Sequence, residues 1–202
     1  MGNKIDLRVI KTQRAIKNTF IQLIEEVGFE KVNVRKLIER AEVNRSTFYL
    51  HYQDKYDLLN KIEDELLEGL RRIITDTTLI KTVEQGYTSE SDSRLEKMTR
   101  VAIYLFENKK IIGLLTSDKG DPNFLSKIGG IFESVWIDKK VVIISNIPKR
   151  YAFAVLAGML TSLIGEWIRS DFEETPEQFA QIAVYMTKEL PKSLVATYEK
   201  KD

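Results

Sequence analysis

Between Arg45 and Tyr52 the chain reads RSTFYLHY. Two helical turns here hold an arginine, two hydroxyls, three aromatics and the only histidine, with Lys55 three residues on. Arginine presents a planar fork of donors that matches phosphate oxygens or the acceptor edge of guanine. Ser, Thr, Tyr and His add groups that hydrogen-bond to bases or to the sugar–phosphate backbone. Bond-breaking chemistry is poorly served by the same set. His51 has no second histidine and no cysteine to complete a metal site or a nucleophile–base pair, so neither metal nor catalytic residues are expected. Gly129-Gly130 lacks the spacing of a phosphate-cradling loop, and the doublets Glu25-Glu26 and Glu173-Glu174 fit solvated helix ends. No cofactor and no enzymatic activity are expected.

The helices that must carry this run are legible from apolar spacing, and no strand alternation competes with it. Ile16, Phe20, Leu23, Ile24 and Val27 form one stripe that Gly28 stops. Asn33 is placed to cap a short second helix with Val34, Leu37, Ile38 and Ala41 turned inward. Glu42 and Val43 make a turn, and Asn44 is placed to cap a third helix over Arg45 to about His51. Asp54 is placed to cap a fourth, with Leu58, Leu59, Ile62, Leu66, Leu70, Ile73 and Ile74 along its apolar face. On the third helix Phe48 and Tyr52 are one turn apart and face the core. That leaves Arg45, Ser46, Thr47, Tyr49 and His51 pointing outward or forward. Two short helices joined by a turn of about three residues have the spacing of a helix-turn-helix, whose second helix enters the major groove of DNA. In such a docking Arg45, Ser46 and Thr47 reach base edges, while Tyr49, His51 and Lys55 pair with phosphate. The amide ends of the second and fourth helices are further anion sites.

Composition agrees. The 202 residues are 43% hydrophobic and 30% charged, as in a folded chain, and lack of cysteine excludes disulfides and thiolate sites. The net charge of +1 hides an asymmetry: residues 1–55 hold 11 Lys+Arg against 7 Asp+Glu, and residues 56–202 hold 20 against 23. A basic start on a mildly acidic remainder suits a local polyanion contact. The N-terminus has no apolar signal region, and YAFAVLAGMLTSLIGEW is hemmed by Arg150, Glu166 and Arg169, so no membrane span and a cytoplasmic location are expected.

Residues 76–93 lose the helical pattern and suggest a long flexible connection. Helical spacing returns over Arg94–Glu107, Lys110–Thr116, a segment ending near Trp136, a long helix after Pro148 and a last one started by Thr175-Pro176 and broken at Pro191. The fold class is therefore all-α with about nine helices: a three-helix DNA-binding domain over residues 1–53 and a larger helical domain over 54–202.

The stretch NVRKLIERAEVNRSTFYLHYQDKYDLL resembles the signature of the tetracycline-repressor (TetR) family of transcriptional regulators. There a capped helix and a turn lead to Thr-Phe-Tyr, a further aromatic, and a lysine with Leu-Leu behind. The resemblance spans roughly residues 10–60. Two positions depart from it. Asn33 replaces a threonine cap, and Glu42 replaces a glycine, so the turn is expected to form without a positive φ or the second helix to end differently. The resemblance adds Arg35 to the base-reading set.

It also interprets the C-terminal part. Ala154, Gly158, Thr161, Ser162 and Gly165 form a small-residue stripe that invites close approach of another helix. Within one subunit that helix is a neighbour. The resemblance implies instead a homodimer interface over residues 148–190, with Leu160, Ile164 and Trp167 nearby. Two copies would read a near-palindromic double-stranded operator. The resemblance further implies a small-molecule effector pocket, for which Tyr104, Phe124, Phe132, Trp136 and Phe153 are available, though any helical core would use the same residues. Effector binding would shift the fourth helix and respace the reading helices, most simply releasing a repressor. The alternative from a different class is an adapter or co-activator that keeps the fold and acts through a protein partner.

Overall fold

The computed structural model describes residues 7–76, 90–138 and 148–188. Among them there are nine α-helices, one 3-10 turn and no strand. The helices are α1 (Leu7–Val27), α2 (Val34–Arg40), α3 (Arg45–His51), α4 (Lys55–Thr75), α5 (Glu90–Glu107), α6 (Lys109–Thr116), α7 (Phe124–Asp138), α8 (Lys149–Arg169) and α9 (Pro176–Lys188), with the 3-10 turn at Phe29–Lys31. The all-α expectation holds. Residues 77–89 lie outside the described residues, and so do Pro191 and the Trp136 side chain. Helix α5 starts at Glu90, four residues before the apolar spacing begins.

The chain packs as two units: residues 1–66 with 110–124, and residues 67–109 with 125–202. In the first, Ile16, Phe20, Leu23 and Ile24 of α1 bury against the rest of the helix-turn-helix core, where Leu37, Phe48 and Leu58 are fully enclosed. Val27, read as part of that stripe, is exposed instead. Gly28 (φ 79) ends α1 and turns the chain into the 3-10 segment. The turn after α6 is tied to the same region: the Phe29 amide donates to the Lys119 carbonyl (2.8 Å), and the Lys119 ammonium donates to the Glu25 carbonyl (2.6 Å).

In the second unit α9 packs along α5 and against α8. Trp167 lies stacked 4.1 Å from Phe179 and edge-on to Phe172 at 4.9 Å, and its indole N–H donates to the Glu174 carbonyl (3.0 Å). It is therefore buried in the core of this unit. Thr175 and Gln178 form a reciprocal capping box at the start of α9, each side chain accepting from the other's amide. Among the described residues α8 alone is long and apolar enough to cross a membrane, despite the charges at its ends.

Candidate nucleic-acid interface

The short helices of the first unit are fixed by their ends. The Asn33 side chain accepts from the Arg35 amide (2.8 Å), capping α2. At the other end the Val43 amide donates to the Ile38 carbonyl and the Glu42 amide to the Glu39 carbonyl, the bond pattern of a helix closed through a left-handed residue. That residue is Glu42, with φ 54. The turn thus keeps the positive φ that the missing glycine was expected to remove, at a steric cost of about 1 kcal/mol. Asn44 precedes α3 but makes no side-chain cap bond, so the start of α3 is set by the turn. Asp54 caps α4, its carboxylate accepting from the Tyr56 and Asp57 amides (both 2.8 Å). These caps fill amides of α2 and α4 that an anion would otherwise use.

Helix α3 is amphipathic as its spacing demands. Phe48 is fully buried and Tyr52 nearly so. Burial, with the Glu65 and Asp57 carboxylates adding to it, pushes the Tyr52 hydroxyl up to about 12. The backbone amide of Gln53, together with Lys61, holds the Asp57 carboxyl below its usual range. Arg45, Ser46 and Tyr49 are exposed, while Thr47 and His51 are half-buried. The Arg45 guanidinium stands 5.5 Å from the centre of the Tyr49 ring, a contact that steers the fork across the outer face. Arg35 is exposed on α2, and Asn33, Val34, Arg35, Ile38, Arg45 and Tyr49 line one groove of about 320 Å³ between α2 and α3. The sequence-predicted residues Arg35, Arg45 and Tyr49 therefore converge.

Lys55 has another task. Its ammonium donates to the carbonyls of Phe29 (3.1 Å) and Glu30 (2.8 Å) and lies 4.8 Å from the Phe29 ring centre. An ammonium has three donors, so at most one remains for phosphate. Lysine at the start of a helix reads as a phosphate contact from sequence because nothing there shows the two carbonyls brought beside it. Sequence reasoning also passed over Leu50, which is 77% exposed at the outer side of α3. A helical projection from Phe48 and Tyr52 would have found it.

Residues 21–62 match the family model described as bacterial regulatory proteins, tetR family, and residues 92–189 match that of a transcriptional regulator C-terminal region. The chain belongs to the TetR family of transcriptional regulators. It is 22% identical over 181 residues to YxbF of Bacillus subtilis (strain 168), an uncharacterized HTH-type transcriptional regulator. That alignment covers 88% of this chain and 46% of YxbF, so the chain spans about half the length of the curated relative it matches. A TetR transcriptional regulator from Streptococcus agalactiae 2603V has a similar structure, with TM-score 0.65 and 26% identity over 90% of this chain and 96% of that one. NalD of Pseudomonas aeruginosa, the secondary repressor of the MexAB-OprM multidrug efflux pump, shares the fold at TM-score 0.61 and 18% identity, covering 89% and 96% of the two chains. So does the dihydroxyacetone kinase operon activator DhaS, at 0.57 and 19%, covering 90% and 97%. YxbF is a regulator of the helix-turn-helix type, and α2–α3 is that motif in this TetR-family chain, which is a transcriptional regulator and not an enzyme.

The remaining expected sites lie in different settings. Of the small-residue stripe on α8, Ala154, Gly158 and Ser162 are exposed. Thr161 packs its hydroxyl against Gly129 of α7, and Gly165 packs against Leu125 of the same helix. Tyr104 lines a cleft of about 640 Å³ between the end of α4 and α5, with Arg72, Asp76 and Arg100. Its hydroxyl occupies the space a side chain at Gly69 would need, and burial raises its pKa. Phe124 is buried in the first unit, and Phe132 and Phe153 are buried in the second.

Proposed function

We propose that the chain is a dimeric, sequence-specific DNA-binding repressor that a small-molecule effector releases from its operator. The observation that carries this is α3: its inner side is locked by Phe48 and Tyr52, while Arg45, Ser46 and Tyr49 stand exposed beside Arg35. A rigid helix presenting a guanidinium, a hydroxyl and an amphipathic ring suits the major groove. In this reading residues 1–53 recognise DNA. Arg35, Arg45, Ser46 and Thr47 meet base edges, and Tyr49, His51 and the remaining donor of Lys55 meet phosphate.

Residues 54–202 bind the effector and dimerise. The dimer is supported by the bare face of α8 and α9, where Tyr151, Val155, Ile182 and Tyr185 are exposed beside Ala154, Gly158 and Ser162. A second copy of that face, rather than lipid, covers α8, and the dimer works in the cytoplasm on a near-palindromic operator. Tyr104 is the polar residue we assign to effector contact, in keeping with its cleft.

The experiment is selection of genomic duplex fragments by the purified chain at moderate salt. The expected result is an enriched near-palindrome whose affinity falls steeply with salt. Folded, dimeric protein that enriches no sequence overturns this reading and favours the adapter.

A further inference from the structure

Helix α3 carries one outward side chain that neither phosphate contacts nor polar base contacts use. Phe48 and Tyr52 define its inner side. At 100° per residue Ser46 and Leu50 then lie opposite, flanked by Arg45 and Tyr49 on one side and by Thr47 and His51 on the other. Leu50 is 77% exposed; in the same unit Leu23, Leu37, Leu58 and Leu59 are buried, and Leu7 at the start of α1 is exposed as well. The residues around it on α3 are Ser46, Thr47, Tyr49 and His51, with Arg45 farther round beyond Tyr49. They make this a lone apolar group on a polar, basic helix, too small for a protein-docking patch.

A leucine at the crest of a helix lying in the major groove meets one kind of apolar group there. Guanine, adenine and cytosine present donors and acceptors along that edge, and thymine adds its C5-methyl. We propose that Leu50 reads the 5-methyl group of a thymine in each operator half-site. This rests on the DNA-binding reading of α3 and adds a specificity-determining residue to it. Four residues separate Leu50 from Ser46, a rise of about 6 Å along the helix. The thymine therefore lies about one to two base pairs from the base that Ser46 meets.

The test uses the full chain and the operator recovered by fragment selection. Each thymine is replaced singly by deoxyuridine, which removes the methyl group and keeps every hydrogen-bonding group of the base. Affinities are measured at one salt concentration for the native chain, Leu50→Ala and Leu50→Met. Burial of one methyl group predicts a loss of about three- to fivefold for the native chain at one thymine per half-site. Leu50→Met should retain that uracil penalty. In Leu50→Ala it should vanish, with affinity for the unmodified operator already reduced. Because Leu50 is exposed, the melting temperature of both variants should match the native chain.

Specific binding that is indifferent to every uracil, or a penalty that persists unchanged in Leu50→Ala, overturns the role of Leu50 and leaves DNA recognition by α3 standing. An operator with no thymine in its half-sites does the same. Failure to recover any operator overturns the reading on which both depend.

Discussion

Helices α3 and α8 both turn aromatic and aliphatic side chains outward, but in different company. On α3, Tyr49 and Leu50 stand among Arg45, Ser46 and Thr47. On α8 the Arg150 guanidinium stands 4.7 Å from the Tyr151 ring centre, but beyond it Val155 stands among Ala154, Gly158 and Ser162, and no further charged residue occurs before Glu166. Exposure alone does not separate them: Tyr49 is 47% exposed and Tyr151 55%. The neighbours do. A basic, hydroxyl-bearing surround suits a polyanion whose groove holds occasional apolar groups, whereas an uncharged face with glycine at its centre suits another helix at close range.

The comparison is most exposed to refutation at Gly158. A Cβ built there meets nothing within 4 Å, so one subunit has room for a larger residue. Gly158→Leu should leave the fold intact while overpacking the proposed interface by about 2–3 kcal/mol. That is roughly a hundredfold weaker dimer in analytical ultracentrifugation, and a dimer of unchanged affinity would move the interface elsewhere.

On α3, Arg45→Ala should weaken operator binding by about 1–3 kcal/mol and relax preference at one base pair, with the melting temperature unchanged. Unchanged operator affinity in a binding titration would remove Arg45 from the reading set. Lys55 sharpens the contrast within the basic residues, because its charge is turned onto two carbonyls. Lys55→Ala should lower folding stability by about 1–2 kcal/mol in urea titration, where Arg45→Ala does nothing. The smallest effect is expected at Glu42. Glu42→Gly relieves the left-handed conformation but adds freedom to the unfolded chain, for a net gain of about 0.5 kcal/mol. A loss of stability on the same denaturant curve would mean that the Glu42 side chain does more than tolerate its φ.

The parts that could be read from sequence are those governed by local rules. Phe48 and Tyr52 are one turn apart and are buried together. Asn33, Asp54 and Thr175 cap the helices they precede, because a short polar side chain ahead of an apolar stripe has little else to do. What escaped depends on neighbours distant in the chain. Lys55 turns inward because Phe29 and Glu30, some twenty-five residues earlier, bring carbonyls beside it. The α8 stripe divides because α7 fills against Thr161 and Gly165 but leaves Gly158 open. Glu42 escaped for another reason: the hydrogen bonds that close α2 outweigh the steric preference of a single residue, so the turn keeps its shape without its usual glycine.

The bond from Phe29 to Lys119 has a consequence for how the protein is made. The unit that holds the helix-turn-helix includes residues 110–124, so it cannot complete its packing when its first 66 residues leave the ribosome. Translation at about 5–20 residues per second delays the missing segment by roughly 3–12 seconds. During that interval the end of α1 and the Phe29–Lys31 turn wait for the segment that carries Lys119.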